Sequence, residues 1–266
     1  MLPMRDIHES FVRGAFSLER LLKTLDPKGF TNTLDESFNH FCVSKAISDL
    51  HIDSKAFRVG KKLVTRTQLG FFRALPVFND KQIRRCQEGS YLREADGLLH
   101  ANPSLAELVV PSILRAVDER FVPETLHYEF CFVQRWIYVF VISEDRGEEC
   151  LADFVFKRAN RFNVAEFSRI MDGILVQCMV TLQTYQREAN LTHSDLHNRN
   201  IVLRKAHFAR DLTVSLGTFV KQFHLDADVP EICLIDFEFS VATWYIGSEA
   251  TTNTCFTIFG SQNSFN

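Results

Sequence analysis

The stretch Val164–Tyr185 carries apolar residues at Val164, Phe167, Ile170, Met171, Ile174, Leu175, Cys178, Met179, Leu182 and Tyr185, recurring at steps of three, one and three. That period predicts one long amphipathic helix that must bury a stripe against another layer. Asn163, with Glu166 three residues on, supplies a capping-box-like start. The helix runs directly into THSDLHNRN (Thr192–Asn200), a loop dense in hydrogen-bonding residues. A short strand-like IVLRK, a polar stretch and a second apolar strand, ICLIDF, follow. This order of helix, polar loop, strand and strand constrains the chain more than any other feature.

The loop and the second strand end carry the candidate chemistry. Phosphoryl transfer needs a carboxylate to orient the attacking hydroxyl, and oxygen ligands that hold magnesium against the nucleotide phosphates. In the spacing H-x-D-x-x-x-x-N, Asp195 would accept the hydroxyl proton, His193 would brace the loop and Asn200 would ligate a metal. Asp236, at the end of the second strand, would bridge metal to phosphates. An isolated Asp or Asn here would read as a turn cap. The ordered combination favours the chemical reading.

Upstream, Ala56–Asn79 alternates as strands do, with Gly60 and Gly70 as interruptions. Tyr128–Val133 and Trp136–Ile142 read as a buried hairpin. Residues 1–50 carry helical spacing, including Phe16, Leu18, Leu21 and Leu22. Residues 82–100 predict a helix ended by Asn102-Pro103, and Glu94 on it is the candidate to pair with a cation of the sheet. The pairs Lys61-Lys62 and Arg84-Arg85 read as solvated surface, and His127, His207 and His224 have no ligand spacing.

Composition narrows the classes. A net charge of -3 leaves no electrostatic footprint for direct nucleic-acid binding. Seven scattered cysteines without CxxC pairs suggest neither zinc nor a disulfide framework, and read as reduced thiols of an intracellular protein. MLPMRDIHES lacks a signal-peptide core, and no apolar run is long enough to cross a bilayer, so a soluble protein without a membrane partner is expected.

With these motifs in place, the chain resembles the protein kinases, and among them haspin-type atypical serine/threonine kinases. That family's catalytic loop reads D-L-H-x-x-N, as in Asp195–Asn200. It replaces D-F-G with D-Y-T-L-S, where this chain has D-F-E-F-S at Asp236–Ser240. It also carries a long insertion before the metal-binding Asp, matching a separation of Asp195 from Asp236 about twice that of an ordinary kinase. FFRALPVFND (Phe71–Asp80) looks like the family's A-I-K-I-V-P-V strand and puts Arg73 where the nucleotide-anchoring lysine belongs. The resemblance spans roughly residues 29–240 and implies an α+β, bilobal protein-kinase-like fold. Residues 1–50 would be a helical extension, 51–145 a small antiparallel-sheet N-lobe and 146–266 a partial helical C-lobe that stops soon after Asp236. It implies ATP and Mg2+, with Arg73, Glu94 and Asp236 on the nucleotide and Asn200 and Asp236 on the metal. It also implies a threonine near the start of a histone tail as acceptor, and the nucleus as compartment.

The sequence departs from that pattern at several points. Arg73 keeps the charge but not the compactness of lysine. No G-x-G-x-x-G precedes it, and Gly60 sits too close upstream for the usual phosphate-covering hairpin. Ser194 stands where most kinases have Arg, and no A-P-E segment or amphipathic helix follows Asp236. On this resemblance the expectation is a degenerate paralogue or an incomplete product of its gene. Three functions stay open: a haspin-like kinase, a pseudokinase acting as an interaction module, and a small-molecule kinase of the aminoglycoside or choline type. The last shares H-x-D-L-H-x-x-N and I-D-F-E, but the inserted segment and the FFRALPV strand argue against it.

Overall fold

Alternation in Ala56–Asn79 produces two antiparallel strands, β1 (Leu63–Thr67) and β2 (Gly70–Asn79). The aromatic and β-branched runs downstream produce β3 (Thr125–Val133) and β4 (Trp136–Ser143). Together they form an antiparallel sheet in the order β1-β2-β4-β3. This computed structural model describes residues 48–79, 81, 103–133, 136–147, 149–158, 161–216, 218–246 and 254–259. The helices expected before residue 48, and the helix expected over 82–100 with Glu94, lie outside the described residues.

Hairpin geometry sets the register. Gly70 turns the chain at φ +135°, and a Cβ there would lie 2.2 Å from the Ser143 carbonyl oxygen, so only glycine fits. Arg73 is thereby placed between Val64 of β1 and Val141 of β4. Pro76, which has no N–H for a ladder, lies past the end of β1 and beside a bulge between Pro76 and Phe78.

Pro103, expected with Asn102 to end a helix, instead begins one, α1 (Pro103–Val117). Pro103 takes the first helical position, where its missing N–H costs nothing. Ser104 Oγ donates to the Pro76 carbonyl at 2.7 Å and ties the helix to β2. Leu105, Leu108, Val109, Val110, Ile113 and Leu114 are all buried, while Ser104, Glu107, Ser112 and Arg115 share the opposite face. Each such apolar side chain contributes about 1.5–3 kcal/mol by burial.

Two helices follow, α2 (Leu151–Arg158) and α3 (Val164–Ala189). Asn163 caps α3, its side-chain oxygen accepting from Glu166 N at 2.8 Å, as the capping box predicts. Asn190 ends it in the left-handed conformation. Ile170, Ile174, Cys178 and Tyr185 of the apolar stripe are buried, whereas Val164, Leu175 and Met179 at its edges face outward. A three-stranded sheet β5-β6-β9, from Glu149–Cys150, Ile201–Arg204 and Glu231–Leu234, lies beyond the long helix. The polar stretch between β6 and β9 is a hairpin, β7 (Arg210–Leu216) and β8 (Phe219–Leu225), packed on α3 through Leu212, Val214, Leu225 and Val180.

After Asp236 the described residues form another hairpin, β10 (Val241–Ile246) with β11 (Thr254–Phe259). The fold class is α+β, with small antiparallel sheets and few helices, as expected. One core runs from Leu75 and Val77 through α1 and α3 to Ile201, Leu234 and Phe237, so the first sheet and the β6–β9 sheet share an interior. No helix among the described residues is long and apolar enough to cross a membrane.

Candidate functional site

The loop after α3 is fixed from both sides. Thr192 and Val241 exchange backbone hydrogen bonds at 2.8 Å, and Ser240 Oγ donates to the His193 carbonyl at 3.2 Å. Asn200 is the central tie. Its Nδ2 donates to the Asp195 carbonyl at 3.0 Å, its N–H donates to His197 O at 2.9 Å, and its own carbonyl accepts from Ile235 N at 3.1 Å. Since β6 and β9 pair from Ile201↔Leu234 onward, Asn200 and the residues leading to Asp236 meet at the same sheet end. With Nδ2 facing a carbonyl, the Oδ1 atom of Asn200 is left as the acceptor end of the amide.

His193 is buried, its ring 5.0 Å from that of Phe237. Its Nε2 lies 3.1 Å from the Ile235 carbonyl, which only accepts, so Nε2 carries the proton and Nδ1 is a buried acceptor without a partner. Burial pushes the imidazole below its ordinary range, although the Ile235 carbonyl and the Asp236 and Asp195 charges pull the other way. The ring is therefore a neutral brace between the loop and the end of β9.

Two non-glycine residues here hold the left-handed backbone: Ser194 at φ 61° and Asp236 at φ 65°. Asp tolerates this region better than Ser, and each such residue costs on the order of 1–3 kcal/mol. Both strained positions adjoin the candidate carboxylates Asp195 and Asp236. Asp195 itself is partly exposed, with His197 Nε2 at 3.9 Å from its Oδ2, beyond hydrogen-bond reach.

Across from Asp236, Glu107 of α1 is buried, its side chain 2 % exposed. Arg73 NH1 donates to its Oε2 at 2.5 Å. Arg73 thus pairs with Glu107, on a helix the sequence reading did not recognise. Lys62, read from sequence as solvated surface, instead donates Nζ to Glu107 Oε1 and to Glu238 Oε2 at 2.9 Å, and lies 3.4 Å from Asp236 Oδ1. Burial alone would lower the Lys62 pKa, but Glu107, Asp236 and Glu238 more than reverse this and hold it above the ordinary lysine range. No sequence signal separates Lys62 from Lys61; in the fold Lys62, one residue before β1, lines the cleft with Val64 while staying partly exposed.

These groups line a cleft of about 150 Å3 between the two sheets. Val64 and Phe71 line it from the first sheet, and Val202 and Ile235 from the other side. Ser143–Gly147 forms the wall where β4 leaves the first sheet. Gly147 has no room for a side chain, because a Cβ would lie 1.5 Å from Val202 Cγ1. Arg66 pins this connector through Asp145 at 2.7 Å and the Gly147 carbonyl at 2.8 Å.

The arrangement joins an apolar slot to a charged end. Phe71 and Arg73 lie on one face of β2, roughly 7 Å apart along the strand. The charged end sets Lys62 and Arg73 against Glu107, Asp236 and Glu238, whose ligand atoms lie within 4.8 Å of one another. Carboxylate and amide oxygens are the donors that Mg2+ takes, so Asp236, Glu238 and the Oδ1 of Asn200 fit a hard dication in kind. Of the residues named from sequence, Asp195, His193, Asn200 and Asp236 converge on one sheet end; of these Asp236 lines the cleft together with Arg73, while Glu94 lies outside the described residues. No family model matches this chain, and no curated protein matches it.

Proposed function

We propose that this chain is a phosphotransferase of protein-kinase type, resembling the haspin group, which takes ATP with Mg2+ and phosphorylates a serine or threonine of a protein. One observation carries the reading: a buried carboxylate on a helix, held by a basic residue of the neighbouring strand, faces Asp236 across a cleft. A strand base paired with a helix glutamate, opposite a metal-binding Asp, is the arrangement by which protein kinases position a nucleotide. In this reading β1–β4 with α1 form the small lobe, and α2, α3 and the β6–β9 sheet begin the larger one. Ser143–Gly147 connects them, near the boundary expected at residue 145.

Each side chain then has a task. Val64, Phe71, Val202 and Ile235 enclose the base, and the connector backbone orients it. Asp236 and Asn200 would hold Mg2+, which when bound would neutralise phosphate charge. Asp195, exposed beside His197, accepts the proton of the incoming hydroxyl. His193 keeps the loop and the Asp236 turn in register, and Asn200 does so through backbone groups as well. A histone-tail threonine as acceptor, and a nuclear site of action, rest on the family resemblance alone.

A second reading, a pseudokinase serving as a binding module, draws on the cleft size. About 150 Å3 is below the roughly 300–1,000 Å3 of most ligand pockets, and Phe71 and Arg146 occupy its walls. One experiment separates the two. Mg-ATP at about a hundred times its Kd stabilises a binding-competent native state by about 2.7 kcal/mol, or roughly 5–10 °C in Tm for a chain of this size. The kinase reading expects that shift in the wild-type protein and its loss in Asp236→Ala. A folded wild-type protein that shows no shift is the pseudokinase result.

A further inference from the structure

We propose that Lys62, and not Arg73, supplies the cation that anchors the nucleotide phosphates; this rests on the reading of the cleft as a nucleotide site. The two cations share Glu107 but differ in what remains available. Arg73 is 11 % exposed and its NH1 is committed to Glu107, while its Nε is enclosed without a partner. Although Arg73 lines the cleft, its guanidinium serves there as a support for the Glu107 carboxylate. Lys62 is 31 % exposed and its ammonium lies between Glu107 and Asp236.

An ammonium has three donors and no preferred plane. At Lys62 one donor goes to Glu107, one to Glu238, and the third points toward Asp236 at 3.4 Å. Glu107 is almost wholly buried, so that bond is costly to break. Asp236 and Glu238 are 37 % and 32 % exposed, and ion pairs of that kind are weak. Phosphate oxygens can therefore replace the two exposed carboxylates on Lys62 while Glu107 keeps the ammonium in place. That is the compact, charge-dense partner a planar guanidinium does not provide. The lysine missing from strand β2 is thereby supplied from the residue before β1, one strand away in the same sheet.

The test compares binding of Mg-ADP and of adenosine, measured by calorimetry, in the wild-type protein, Lys62→Met, Lys62→Gln and Arg73→Met, with folding checked by circular dichroism. Lys62→Met and Lys62→Gln are expected to weaken Mg-ADP at least about tenfold, the loss of one charge-assisted contact, while adenosine binding is unchanged. Adding Arg73→Lys to Lys62→Met restores part of the loss. If the folded Lys62 variants bind Mg-ADP as the wild type does, the assignment is wrong while the nucleotide reading stands. Equal loss of adenosine and Mg-ADP also overturns it, by making Lys62 a structural support. If the folded wild-type protein binds neither ligand, the nucleotide reading itself fails, and the anchor with it.

Discussion

Removing the cations that hold Glu107 tests the charged end of the cleft without any ligand. The Glu107 side chain is 2 % exposed and has two partners, Arg73 on one oxygen and Lys62 on the other. Stranding a buried charge costs about 3–5 kcal/mol, but either cation alone still satisfies it. Arg73→Met should therefore cost only about 1.5–3 kcal/mol, the worth of one charge-assisted hydrogen bond. Lys62→Met, on a more exposed side chain, should cost about 0.2–1 kcal/mol. The double variant strands the carboxylate at the full cost of about 3–5 kcal/mol and so should exceed the sum of the single losses by about 1 kcal/mol at pH 7. Adding Glu107→Gln should recover most of that excess, because the stranded charge is gone. Urea denaturation with an unchanged m-value reads each number. Additivity within about 0.5 kcal/mol, the limit expected of independent sites, would refute the shared-carboxylate reasoning.

His193 is neutral in the folded state with its pKa held down mainly by burial, so the unfolded chain binds a proton first as pH falls; stability should decline below about pH 6.5, and His193→Gln should flatten that decline in a pH series of Tm. Gly70→Ala should destabilise by more than about 1 kcal/mol, since the new Cβ meets a backbone oxygen at a positive φ; an unchanged urea midpoint would mean the turn relaxes freely. Burial pushes the Cys178 thiol up to about 11 and the Cys233 thiol up to about 12, so both should resist alkylation at pH 8 in the native protein and react after unfolding, as peptide mass mapping would show.

Local physics made part of this molecule legible in advance. The period of α3, its Asn163 cap and the paired runs of β3 and β4 depend on neighbours in sequence, and they appear where periodicity puts them. The loop from His193 to Asn200 and the strand end at Asp236 could be proposed as partners because chain order alone brings a helix, a loop and two strands into one unit. The β7–β8 hairpin was foreshadowed by the unusual separation of the two aspartates.

The other half of the cleft was a tertiary decision. α1 starts at the Asn102-Pro103 pair that reads as a stop and has Pro111 inside it, so its helical spacing is masked by two prolines although it is amphipathic. Glu107 became the partner of Arg73 only when Ser104 docked α1 on β2, and Lys62 left the category of surface charge only when β1 turned its ammonium toward Glu107 and Asp236. A charged residue's role depends on which buried charge lies within a few ångströms, and that distance is set by packing between segments far apart in sequence. The sequence by itself determined the long helix, the hairpin of β3 and β4 and the chain order that joins Asp195, Asn200 and Asp236, because those follow from residue spacing along the chain; which cations face Asp236 was decided by the tertiary structure, because electrostatic partnership falls off with distance through space.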